Sequence, residues 1–154
     1  MSYYYLESSA LLKLYVRERG TDDLVPLVRN PFLVDRFIVL SLASVEVRSA
    51  IRRRERIGDI AAPMAAAAIR RLEWQVGTRF YETRLDGEVI EVAKSLIDRH
   101  GLRAYDSLQL AGCLAIREFL PTFVCSDQKL LKAADEEGLA TFNPEMPVPP
   151  LECL

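Results

Sequence analysis

Val39–Ser49, VLSLASVEVRS, decides how this chain folds. The short apolar run Phe37–Leu40 reads as a buried strand, and Ser41 marks the start of a helix. Leu42, Val45, Ser49 and Ala50 then recur at helical spacing, the stripe expected to face a core. Glu46 falls inside that stripe, at i+4 from Leu42. A lone carboxylate is costly there, so it needs a metal ion or a basic side chain as partner. Arg48, Arg52, Arg53, Arg54 and Arg56 follow on the same segment. An inward acid with a basic run just beyond it suggests a metal site beside a polyanion-binding surface.

Working outward, the same strand-then-helix pattern repeats. Tyr3–Leu6 is the first strand, Glu7 ends it, and Ser8 or Ser9 is placed to cap a helix carrying Ala10, Leu11, Leu14 and Tyr15 up to Gly20. Thr21 is expected to cap a short helix from Asp22 to Arg29, and Asn30-Pro31 breaks it. The Glu46 helix runs to about Arg56. Asp59 is expected to cap an alanine-rich helix through Trp74, ended by Gly77. Phe80–Leu85 reads as a third strand. Asp86 opens a helix whose face is Val89, Ile90, Ala93, Leu96 and Ile97, and Gly101 stops it. Arg103–Glu118 is helical, Phe123–Ser126 is a fourth strand, Asp127 opens another helix ended by Gly138, and Leu139–Phe142 is a last short strand. Continuous apolar strands separated by helices imply a mostly parallel sheet covered on both faces, a three-layer α/β/α sandwich.

Composition bounds the reading. At 154 residues, half of them hydrophobic and 27% charged, one folded domain is expected over residues 1–143, followed by a proline-rich tail over 144–154. A formal net charge of −2 argues against a protein that coats nucleic acid nonspecifically, although a local basic patch still docks phosphates. Cys113, Cys125 and Cys153 are odd in number and widely spaced, which suits free thiols in a reducing, cytoplasmic compartment. Glu7 and Lys13 interrupt the first apolar stretch, so neither a signal peptide nor a membrane span is expected there.

Ligands of open parallel sheets gather at the carboxyl ends of the strands. Glu7, Glu46 and Asp127 all fall near such ends, and Asp106 shares an apolar helical face with Leu102 and Leu110. Each has a plainer reading. Asp127 is placed as a helix cap, Glu7 as a solvent-facing strand end, Asp106 as a partner of Arg103, and Glu46 as a partner of a neighbouring arginine. Arg52-Arg53-Arg54 equally suits a solvated helix end. Convergence is what favours chemistry: four carboxylates at one edge repel unless a cation neutralises them, and all-oxygen donors favour Mg²⁺ or Mn²⁺ over zinc. His100, the single histidine, sits beside Gly101 as a helix-end residue, and no G-x-S-x-G, P-loop, G-x-G-x-x-G or C-x-x-C is present.

YYLESSALLKLYVRERG, LSLASVEVRSAI, LRAYDSLQLAGCL and FVCSDQKLLKAADEEGL, in this order and spacing, resemble a PIN-domain protein of the VapC toxin type over almost the whole chain. The resemblance implies a PIN-like α/β/α fold and a Mg²⁺- or Mn²⁺-dependent endoribonuclease, the toxin of a type II toxin–antitoxin pair. It implies catalytic, metal-holding acids at Glu7, Glu46, Asp106 and Asp127, with Ser9 and Ser126 as hydroxyls that orient them. Arg48, Arg52 and Arg53 would hold RNA. The implied partners are the RNA substrate, a VapB-like antitoxin and a second copy in a homodimer, with no membrane. The family has Asp in a D-T-S pattern where this chain reads Glu7-Ser8-Ser9, one methylene longer. Two rival readings follow: a catalytically weakened binding protein, and a Mg²⁺-dependent hydrolase of small phosphoesters. Leu11, Leu12, Leu14, Tyr15 and Val16 exceed what one buried face needs, so a partner is expected on the first two helices and the Ala61–Trp74 helix.

Overall fold

Strands and helices alternate through the described residues of the computed structural model, 1–32 and 34–146. Strand β1 (Tyr3–Leu6) leads through helices α1 (Ser8–Leu12) and α2 (Thr21–Arg29) to β2 (Arg36–Leu40). Helices α3 (Ala43–Arg56) and α4 (Ala62–Thr78) then lead to β3 (Tyr81–Thr83), and α5 (Gly87–His100) and α6 (Ala104–Leu114) to β4 (Thr122–Val124). Helix α7 (Gln128–Glu136) precedes β5 (Ala140–Phe142). The five strands pair in the order β3-β2-β1-β4-β5, every pair parallel. The sheet is therefore wholly parallel, and the three-layer, PIN-like α/β/α sandwich read from the sequence stands.

Alternation along each strand divides the core into two layers. Leu6, Phe37, Val39 and Val124 pack with α1 to α4 on one face. Tyr5, Ile38, Leu40, Phe123 and Cys125 pack with α5, α6 and α7 on the other. Helix α6 lies unusually close to the sheet, since a Cβ at Gly112 would run into the Tyr5 hydroxyl and Leu40. The chain turns outward from β1 to β2 and β3, then crosses back to β4 on the other side of β1. That reversal makes the carboxyl ends of β1 and β4 the switch point where a crevice opens.

Several local expectations are corrected. Helix α1 ends after only five residues, and Tyr15 and Val16 turn into the core instead of lining a surface. The apolar surplus there is consumed by packing, whereas Met64 and Trp74 on α4 do stay exposed. Helix α3 starts at Ala43 and not Ser41, and Ala43, Val47 and Ile51 make its buried face. Val45 is 64% exposed, so the buried stripe lies about one residue round from the one the spacing predicts. Thr21 and Asp59 do not cap: Thr21 bonds the Lys13 carbonyl, and Asp59 pairs with Arg54. Asp86 and Asp127 cap as expected, accepting from Val89 and Leu130 amides. Of the tail, Pro144 is buried against Gly20 and Glu145 reaches Lys13 at 2.7 Å, while residues 147–154 lie outside the described residues. No helix among the described residues is long and apolar enough to cross a membrane.

Candidate active site at the carboxyl edge of the sheet

Each predicted acid is delivered by a different element. Glu7 follows β1 directly, and its amide donates to the Val124 carbonyl of β4, tying it to the switch point. Glu46 occupies the first turn of α3, Asp106 the first turn of α6, and Asp127 caps α7 just after β4. First-turn placement is favourable for acids, because the helix N-terminus carries partial positive charge.

Glu7 is not the solvent-facing strand end that its position suggests. It is only 6% exposed, and it caps α1 itself by accepting the Ser9 amide at 2.9 Å and the Ser9 hydroxyl. Burial pushes its carboxyl up to about 7, the Ser9 bonds oppose this, and Glu46 and Asp106 add repulsion. Glu46 is also raised, first by burial and then by Asp106, against bonds from Ser8, Tyr105 and Gln109 that favour its charged form. Asp106 is raised by burial and by Asp127, with Arg103 and Lys129 pulling the other way. Three carboxyls held above their ordinary range within one chain of repulsions mark a place short of positive charge.

Glu7 feels both Glu46 and Asp106, Glu46 feels Asp106, and Asp106 feels Asp127. Among the described residues, no three His, Cys, Asp or Glu side chains stand together as a ready-made cage for a metal. Here Glu7 is turned onto Ser9, Glu46 onto Gln109 and Asp127 onto the Leu130 amide. The donor set nonetheless suits a hard cation in kind, since every acid offers oxygen alone. The Ser126 hydroxyl is buried with no hydrogen-bond partner among the described residues, beside Asp127 at the same edge.

The basic residues divide. Arg53, with Arg103 from the start of α6, lines a cleft of about 650 Å³ that also contains Glu7, Glu46 and Tyr105. Arg48 instead pairs with Glu73 of α4 at 3.3 Å, and Arg52 with Glu55 at 2.7 Å. The Ser9 hydroxyl donates to Glu7. Ser126 bonds none. Tyr105 and Gln109 are not found by reading the sequence, and Ser8 and Arg103 are named there only as a helix cap and a partner of Asp106. The signal was there for Gln109, an amide between Leu108 and Leu110 one helical turn after Asp106.

No family model matches the chain, and no curated protein matches it. Solved structures do. A chain of FitAcB from Neisseria gonorrhoeae is similar at 17% identity and a TM-score of 0.63, covering 92% of this chain and 97% of that one. A chain of VapBC2 from Rickettsia felis, bound to a DNA fragment from their promoter, gives 14% and 0.61 over 92% and 98%. A chain of FitAB bound to an IR36 DNA fragment gives 16% and 0.64 over 96% and 99%. The resemblance to a VapC-type toxin family is thereby corrected. With no family model and no curated relative matched, what the chain shares with these complexes is the fold.

Proposed function

We propose that this chain is a metal-dependent endoribonuclease that hydrolyses RNA phosphodiester bonds. The reading is supported by four carboxylates carried by four elements near the carboxyl edge of a parallel sheet, three of them held above their ordinary range. Such a cluster is relieved by cations, and Glu46, Asp106 and Asp127, with Glu7 deeper, are the residues that would hold Mg²⁺ or Mn²⁺. A divalent ion there supplies Lewis-acid stabilisation of charge on phosphoryl oxygens. The chain's own part is to bind and align: Arg53 and Arg103 flank the cleft where a phosphate backbone would lie. With no histidine among the cleft residues, none is asked to move a proton.

The partner proposal rests on the fold likeness to chains solved within FitAcB, VapBC2 and FitAB. We infer a toxin–antitoxin pair in which a second protein covers the acidic cleft, and a homodimer of this chain. The rival of a weakened, binding-only protein draws support from Glu7, whose longer side chain is folded back onto Ser9.

The deciding experiment is cleavage of structured RNA by the purified chain with Mg²⁺, Mn²⁺ or EDTA, alongside a small aryl phosphodiester. Cleavage of RNA alone, lost with EDTA, is expected. Turnover of only the small ester would favour the other hydrolase, and metal-dependent RNA binding without cleavage would favour the weakened protein. Glu7→Asp is expected to raise Mg²⁺-supported cleavage several-fold, about 3 to 10 times, because Mg²⁺ tolerates little departure from octahedral geometry.

A further inference from the structure

Gln109 is fully buried in a helix face whose neighbours, Leu110, Ala111 and Cys113, are apolar. A primary amide in such a place is retained only when its donors and acceptor are all engaged. Its Nε2 donates to the Ser8 hydroxyl at 2.7 Å and to Glu46 Oε2 at 3.4 Å, and its Oε1 accepts from the Tyr5 hydroxyl at 3.5 Å. Tyr5 is itself fully buried. The three contacts come from β1, the start of α1 and α3, so one amide links the elements that carry Glu7 and Glu46 to the helix that carries Asp106.

The direction of the chain follows from charge. Carbonyl oxygen set against the Glu46 carboxylate would repel it, so the amide nitrogen faces Glu46 and the carbonyl faces Tyr5. Tyr5 must then donate. The close seating of α6 over Tyr5, which Gly112 permits, is what brings this amide into reach. An apolar side chain of similar size at this position would leave Glu46 without its only buried side-chain N–H donor among the described residues.

We propose that Gln109 is a positioning residue, whose amide, oriented by Tyr5, fixes the Glu46 carboxylate beside Asp106 for a divalent cation. This rests on the reading of the edge as a metal site. Outer residues that orient metal ligands are worth about tenfold to a hundredfold in affinity or activity.

The test combines metal-free and metal-loaded measurements on the full chain. In the metal-free protein, NMR of the Gln109 side-chain amide is expected to show protons protected from exchange and shifted by Glu46→Gln. Amide protons that exchange freely, or that ignore Glu46→Gln, would overturn the proposal whether or not the protein binds metal. Gln109→Met is then expected to raise the Mn²⁺ concentration for half-maximal binding about tenfold, with the KM for RNA unchanged. Tyr5→Phe, which keeps the ring in the core, is expected to weaken Mn²⁺ binding in the same direction by a smaller factor, about threefold. If both variants fold and bind Mn²⁺ as wild type does, Gln109 positions nothing. Should Gln109→Met fail to fold, Tyr5→Phe and the amide exchange decide. A wild type that binds no Mn²⁺ at all would defeat the metal reading while leaving the exchange result standing.

Discussion

Two charged clusters in this molecule have the same ingredients and opposite balance. At the ends of α5 and α7, Glu137 receives Arg99 and His100 at 2.7 Å each, and Glu136 meets His100 at 3.1 Å. Burial pushes the Glu137 carboxyl up, yet the bonds and charges of His100 and Arg99 outweigh it and hold the group below its ordinary value. At the carboxyl edge of the sheet, Glu7, Glu46 and Asp106 are all held above theirs, because burial and each other's charge outweigh the donors available. The first cluster is complete and joins two helices. The second is built from residues that disfavour one another, and structure alone gives no reason to gather them. That contrast separates a structural charge cluster from a functional one better than a count of acids does.

The largest expected effect lies at the edge. Asp106→Asn is expected to lower metal-dependent RNA cleavage at least ~100-fold, more than loss of an orienting neighbour would. Glu137→Gln is expected to leave the rate within about twofold of wild type, the level at which remote surface changes are felt. Equal losses in steady-state assays of the two would erase the distinction.

The next test is thermodynamic, and its sign differs between the clusters. Glu7 has a folded pKa of about 7 against an ordinary 4.5, so the folded state keeps a proton that the unfolded chain has released. Metal-free stability should therefore fall as pH rises from about 4.5 to about 7, by about 3 kcal/mol from this group. Glu7→Gln should remove that part of the slope and stabilise the metal-free protein at pH 8. Glu137, held low, contributes stability above the ordinary carboxylate range that is lost as pH falls below it. Urea unfolding across pH for both variants reads each sign directly.

A smaller effect is expected from Glu137→Gln on stability itself, a loss of about 1–2 kcal/mol at neutral pH, since a partly buried charged acceptor is removed from Arg99 and His100. Unfolding that does not move would show the α5–α7 cluster to be a surface ornament in energetic terms.

The finest distinction concerns the arginines. Arg53→Ala and Arg103→Ala should each flatten the salt dependence of RNA binding by about one unit of slope. Arg48→Ala should not, because that side chain is occupied by Glu73 of α4. Fluorescence titration of labelled RNA at several salt concentrations makes the comparison.

The succession of strands and helices and the layer count are legible because apolar strands buried on both faces and glycine-ended helices leave local marks. Gly101 and Gly138, both at positive φ, close α5 and α7 where the sequence placed their ends. The caps at Asp86 and Asp127 are equally local. The acids themselves were legible as residues out of keeping with their surroundings, Asp106 above all. Their arrangement was not. Rotation of α3 by one residue exposed Val45 and buried Val47, a matter of which side neighbours α1 and α4 occupy. Whether Arg48 faces the cleft or Glu73 depends on a helix 25 positions away, and no local pattern reports it.

The sequence by itself determined a parallel α/β sandwich and four acids at strand ends and on the helices that follow, because both follow from short-range periodicity and capping. Only the tertiary structure decided that Glu7 is buried and turned onto Ser9, that Gln109 reaches Tyr5 across 104 positions of chain and links it to Glu46, and that no three of the acids stand together among the described residues. Those outcomes depend on how closely α6 approaches the sheet and how much water burial removes, quantities set by packing between distant segments.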